Sequence, residues 1–87
     1  MITHVAIMEG AKVFSLPNPF RHHHVIHMIF ELEERKLGNP VDGIQGFLSS
    51  NDIGDMRFVG REEAREIAFA NGQTHRLNGI LFSEDLW

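Results

Sequence analysis

The chain contains no cysteine. No disulfide can staple it, and no Cys–His nucleophile pair or thiolate metal site can form. It also has no apolar run near the roughly 18–20 residues of a membrane-spanning helix, and no basic start followed by an apolar core, as in an export signal. A cytoplasmic location is the expectation. Positive charge is scarce: eight Lys and Arg against twelve Asp and Glu give a net charge of −4. That balance argues against sequence-independent binding of long nucleic acid, which needs a basic face. No Gly-rich phosphate loop and no serine-nucleophile motif is present, so catalysis has no visible machinery. No cofactor is implied.

What is there is an ordinary globular composition, 43% apolar and 23% charged, in 87 residues. A chain this short buries only about 60–65% of the surface that its unfolded form exposes. Self-association would add burial, and a homo-oligomer is expected.

The pattern predicts one α+β domain, residues 1–87, ordered ββαββα, as two hairpins packed with two helices. "ITHVAIM", "EG" and "AKVFSL" read as strand, turn and strand, with Glu9-Gly10 as the two-residue turn. Asn18 suits an N-cap and Pro19 a first helical position, so a helix is expected from there to about Leu37, where Gly38-Asn39-Pro40 stops it. Val25, Ile26, Ile29, Leu32 and Leu37 keep helical spacing. After the turn "NPVDG", "IQGFLSS" and "MRFV" form a second hairpin across "NDIGD". "REEAREIAFANG" then predicts a helix with Gly60 as N-cap, Ala64, Ile67 and Ala68 inward, and Gly72 closing it. The end, "NGILFSEDLW", is apolar, then acidic, then aromatic; its last four residues are too short for an element of their own, and Trp87 is expected to cap the core.

The densest chemistry is "RHHHVIH", residues 21 to 27, and it admits three readings. His23, His27 and Glu31 fall at i, i+4 and i+8 on one helix face, a spacing that zinc accepts. A site needs at least three oriented ligands, and the residues between the histidines offer no glutamate base. The second reading is a solvated helix face. The third is an anion or nucleotide site. Arg21, His22 and His23 crowd the positive end of the helix dipole, where a cation costs about 0.3–1 kcal/mol. A bound anion would reverse that sign, because free N–H groups, dipole and side chains would all point at it. Uncharged imidazole can also bond a sugar hydroxyl.

The second helix repeats the anomaly weakly, with Arg57 before it and Arg61 at its first position. There Glu62 and Glu63 already complement the dipole, and Arg61 can pair with a carboxylate of "SED". "REEAREI" invites comparison with a Nudix box, but the required upstream glycine and glutamate are missing. Phe47 and Phe58 can oppose each other as a core pair on the second hairpin, or one can floor a purine pocket.

From the second hairpin on, "QGFLSS…RFVGREEAREIAFANGQ…LFSEDLW" is similar to a pattern of small, mostly phage-encoded proteins. With "AIMEGAKVFSL" and "RHHHVI", the span Ala6 to Trp87 resembles the first type of Thoeris anti-defence protein. The resemblance implies a sponge that binds cyclic ADP-ribose isomers made by TIR-domain defence enzymes and withholds them without cleavage. Related members also bind cyclic oligonucleotides of CBASS defence at separate sites. It further implies a small-molecule nucleotide partner, a dimer or hexamer, and action in the host cytoplasm. For such a ligand, Arg21, His22 and His23 suit the pyrophosphate or a ribose. Phe47 or Phe58 could stack the adenine, and Arg57 or Arg61 could add a second positive contact. Gln73 and Asp85 could bond ribose hydroxyls or tie the C-terminus to the second hairpin. Two alternatives stand beside the sponge: a metal-dependent hydrolase of such a signal using His23, His27 and Glu31, and a protein inhibitor of a host enzyme.

Overall fold

Four short runs of alternating β-formers pair into one antiparallel sheet of order β2-β1-β3-β4. The computed structural model describes residues 1–33, 43–51, 53–75 and 79–87. The elements are β1 (Ile2–Glu9), β2 (Lys12–Pro17), α1 (His22–Leu32), β3 (Ile44–Ser50), β4 (Met56–Gly60) and α2 (Arg61–Ala70), followed by a 3₁₀ turn at Ser83–Asp85. The order ββαββα is as the sequence predicts. Both β2 and β3 pair antiparallel with β1, so they run parallel to each other and α1 carries the chain across β1 between them.

Both helices lie on one face of the sheet. Val5, Ile7, Phe47 and Val59 point toward them and meet Val25 and Ile29 of α1 and Ala64 and Ala68 of α2. A register shift between Ile2 and His4 makes Thr3 an extra residue in β1 and turns Ile2 onto this same inner face. Alternation decides a second matter. Phe47 pairs with Val59 and Leu48 pairs with Phe58, so the two phenylalanines face opposite sides of the sheet. The core pair Phe47–Phe58 expected from sequence does not form. The Phe58 ring instead lies over Gly46, where an added Cβ would sit 2.6 Å from its Cζ and 2.3 Å from the Val59 carbonyl oxygen.

Several boundaries differ from the sequence reading. Glu9 pairs with Lys12, so the first turn is Gly10-Ala11 rather than Glu9-Gly10, and Gly10 takes φ 61°. Asn18 and Pro19 do not begin α1. The Phe20 N–H donates to the Pro17 carbonyl at 3.0 Å, closing a turn that delays the helix until Arg21 becomes its N-cap. At the other end α1 runs to Leu32, which is 67% exposed, with Glu33 as its C-cap; the expected continuation to about Leu37 lies outside the described residues. The expected stop at Gly38-Asn39-Pro40, the turn through Asp42, and Asp52 lie outside the described residues.

α2 ends as predicted. Gly72, at φ 71°, donates to the Phe69 carbonyl, and Gln73 N–H reaches the Ala68 carbonyl at 2.7 Å, a Schellman closure. A short 3₁₀ turn at Ser83–Asp85 runs into the last four residues, which were expected to form no element of their own, and Trp87 packs against the core as expected. Among the described residues no helix is long and apolar enough to cross a membrane.

Candidate ligand site

Both helices begin at the same corner of the sheet. Gly60, the N-cap of α2, pairs with Gly46 of β3, and His22, the first residue of α1, donates through Nε2–H to the Gly46 carbonyl at 2.7 Å. The His22 ring meets Phe47 edge to face, with centroids 5.0 Å apart. Burial holds the imidazole below its ordinary value of 6.5; the Gly46 hydrogen bond pulls it back up, Arg61 pushes it down and Glu84 raises it. His22 is thus a buried neutral histidine that positions the start of α1.

The start of α1 has no acidic residue in its first turn. Its N-cap amide instead donates to Nδ1 of His24 at 2.9 Å, with imidazole standing where a capping box normally has Glu or Gln. His23 and His24 are exposed and lie with ring centroids 4.0 Å apart. His24 is held below its ordinary value by desolvation and then by His23, His27 and Arg21.

The C-terminal turn covers this corner. Arg21 Nη1 lies 3.7 Å from the Glu84 carboxylate, and Trp87 Nε1–H donates to the Phe20 carbonyl at 2.8 Å. The Asp85 carboxylate accepts the Phe82 N–H at 3.0 Å and so shapes the turn. Arg61 sits between the helices: its Nη2 bonds Gln45 Oε1, its guanidinium lies 5.1 Å from the centroid of the Phe82 ring, and its carbonyl accepts the Leu81 N–H. Its buried Nε has no hydrogen-bond partner among the described residues. Arg61 therefore spends one donor on an amide and one face on an aromatic ring; the "SED" carboxylate goes to Arg21.

Of the residues that the sequence singles out, the fold brings Arg21, His22, His23 and Arg61 to this corner, with Asp85 in the turn above it. It takes the others elsewhere. Phe47 is fully buried under α1 and presents no free ring face. Phe58 lies on the opposite side of the sheet. Arg57 forms a two-point ion pair with Glu63, at 2.6 and 3.2 Å, beside a cleft of about 270 Å³ that it lines with Ser49, Ser50 and Asp55 at the far end of β3. Gln73 holds Ile2 through both backbone groups, accepting its N–H at 2.8 Å and donating to its carbonyl at 2.9 Å. It therefore ties to β1, not to the second hairpin. His23, His27 and Glu31 are all exposed, and among the described residues no three His, Asp or Glu side chains converge as metal ligands.

Gln45 and Phe82 escaped the sequence reading, and Glu84, foreseen within "SED" as a partner for Arg61, faces Arg21 instead. Gln45 carried a signal, a polar residue two before Phe47 and so on the inward face of β3. Phe82 carried none, and which arginine Glu84 meets depends on how the tail folds back.

These features define a class: a two-layer α+β domain with four antiparallel strands under two helices and a cationic corner where both helices start. The chain belongs to the phage T4 y16D protein family, whose model matches residues 1–87. No curated protein and no solved structure matches it.

Proposed function

We propose that this phage-family protein binds a cyclic nucleotide immune signal, a cyclic ADP-ribose isomer in the first instance, and sequesters it without cleavage. The observation that carries the reading is the corner itself, where Arg21, His22, His23 and Arg61 gather around the starts of two helices under the C-terminal turn. Free N–H groups at a helix start favour a phosphate oxygen, and guanidinium adds charge-assisted bonds. Among the described residues the buried Arg61 Nε–H has no acceptor, and the guanidinium lies beside the Phe82 ring, a pairing of cation and aromatic suited to a ribose-phosphate and a base. Choice of a cyclic ADP-ribose isomer, and of binding over turnover, rests on the motif resemblance rather than on this geometry.

In the free protein the anion at Arg21 is Glu84. That pair is loose, at 3.7 Å with the Glu84 side chain 67% exposed, so exchanging it for a pyrophosphate sacrifices little.

The test is incubation with a cyclic ADP-ribose isomer, removal of free ligand, and heat denaturation. Intact ligand released in proportion to protein supports sequestration. A linearised product assigns a hydrolase, and no retained ligand overturns the reading. Arg21→Ala is expected to weaken binding by about 1.5–3 kcal/mol through loss of a charge-assisted bond, measured by calorimetry; unchanged affinity removes Arg21 from the site.

A further inference from the structure

The cleft beside the Arg57–Glu63 pair lies apart from the corner, between the far end of the second hairpin and α2. It holds about 270 Å³, and its lining includes Ser49, Asn51, Asp55, Met56, Arg57 and Ile67. Register sets Ser49 opposite Arg57, two positions on from the inward pair Phe47 and Val59, so both stand on the helix side of the sheet. Ser49 is 8% exposed, and its hydroxyl has no hydrogen-bond partner among the described residues. A hydroxyl so deeply buried is costly to leave unmet. At the rim the Asp55 carboxylate is likewise without a partner among the described residues. Its backbone is fixed: the N–H donates to Asn51 Oδ1 at 3.0 Å, and the carbonyl accepts the Asn51 N–H at 2.9 Å. Arg57 gives two N–H groups to Glu63, which cancels its charge and sets the plane of the guanidinium. Its other donors stay open among the described residues.

We infer that this cleft binds the hydroxyl-bearing edge of a single sugar ring. A carboxylate only accepts hydrogen bonds, a guanidinium only donates, and a serine hydroxyl does both. Hydroxyls on neighbouring ring carbons use that combination: each donates to Asp55 or Ser49 while its oxygen accepts from Arg57. Met56 and Ile67 give the C–H side of the ring an apolar wall. Charge decides against other small ligands. Glu63 neutralises Arg57 and Asp55 adds a negative charge, so a phosphate meets no net attraction here. An ammonium ion would suit Asp55 but would face the open N–H groups of Arg57. No aromatic side chain among the described residues lines the cleft, so a nucleobase has nothing to stack on. Volume sets the size, since pockets for drug-sized ligands hold roughly 300–1,000 Å³ and this one falls just below that range. The inference is independent of the nucleotide reading, because the cleft shares no residue with the corner.

Nuclear magnetic resonance of the isotope-labelled full chain tests it, with the methyl glycosides of glucose, galactose, mannose and ribose added in turn. The amide signals of Ser49, Asn51, Asp55 and Arg57 are expected to shift saturably with at least one of them, while those of Arg21 and His23 stay in place. Asp55→Asn and Ser49→Ala are each expected to weaken that binding by about tenfold, the loss of one hydrogen bond. Ser49→Ala is also expected to unfold at no lower a temperature than the unsubstituted chain, since the hydroxyl it removes has no partner to lose. Signals that none of the sugars moves overturn the inference, as does binding that either variant leaves unchanged. Methylammonium or inorganic phosphate shifting the same amides at lower concentration than any sugar would assign the cleft to an ion and overturn it equally.

Discussion

His22 shows how far a single residue's meaning depends on its neighbours. In sequence it belongs to a cationic cluster; in the fold it is buried at 7% exposure and joined to Gly46, while His23 and His24 beside it stay in solvent. Its lowered pKa sets a sign. The folded chain holds this proton less tightly than the unfolded chain, so below the unfolded value of 6.5 the unfolded state binds more protons and stability rises with pH. The contribution is complete above 6.5 and is lost as pH falls from there through the folded value. His24, also lowered, adds to the same direction from an exposed position. Chemical denaturation midpoints between pH 5 and 8 are therefore expected to fall toward the acid side. His22→Gln, which cannot titrate, is expected to flatten that slope; an unchanged slope would place its origin in the other histidines.

At the scale of elements, what was legible is what local chemistry decides. The strands follow from alternation, α2 from Glu62 and Glu63 at its start and Gly72 at its end, and the second hairpin from "NDIGD", where the Asn51 side-chain oxygen accepts the N–H groups of Ile53 and Asp55. The start of α1 was not legible, because Asn18-Pro19 offers a good local cap that a turn through Phe20 overrides. Nor was the role of Gln73, which two local readings left open. Its bonds to both backbone groups of Ile2 fasten the end of α2 to the bulged start of β1, across a long sequence separation. Gln73→Ala leaves that part-buried pair unsatisfied, and a loss of about 1–3 kcal/mol in folding stability is expected. Urea unfolding measures it. A variant that keeps its stability but loses ligand affinity would instead make Gln73 a binding residue.

Over the whole molecule, the candidate site is assembled from parts that sequence could name but not place. Arg21 and Arg61 were recognisable as misplaced cations at helix starts, yet their partners come from β3 and from the tail: Gln45, Phe82 and Glu84. Only the closed sheet, with Gly46 beneath both helix starts, brings them together. This assembly makes the tail a competitor as well as a support. Trp87 and Asp85 hold it in place through Phe20 and Phe82, while Glu84 contributes a mostly exposed carboxylate at Arg21. Stability and binding should therefore respond differently to Glu84. Glu84→Gln removes an exposed ion pair of about 0–1 kcal/mol, so the melting temperature is expected to change little. It also removes the negative charge that a phosphate must displace, so affinity for a cyclic ADP-ribose isomer is expected to rise, by about tenfold for each 1.4 kcal/mol released. Calorimetry of the variant against wild type measures the difference. Weaker binding in Glu84→Gln would mean that the carboxylate contacts the ligand itself, through a ribose hydroxyl, and that the anion enters elsewhere than at Arg21.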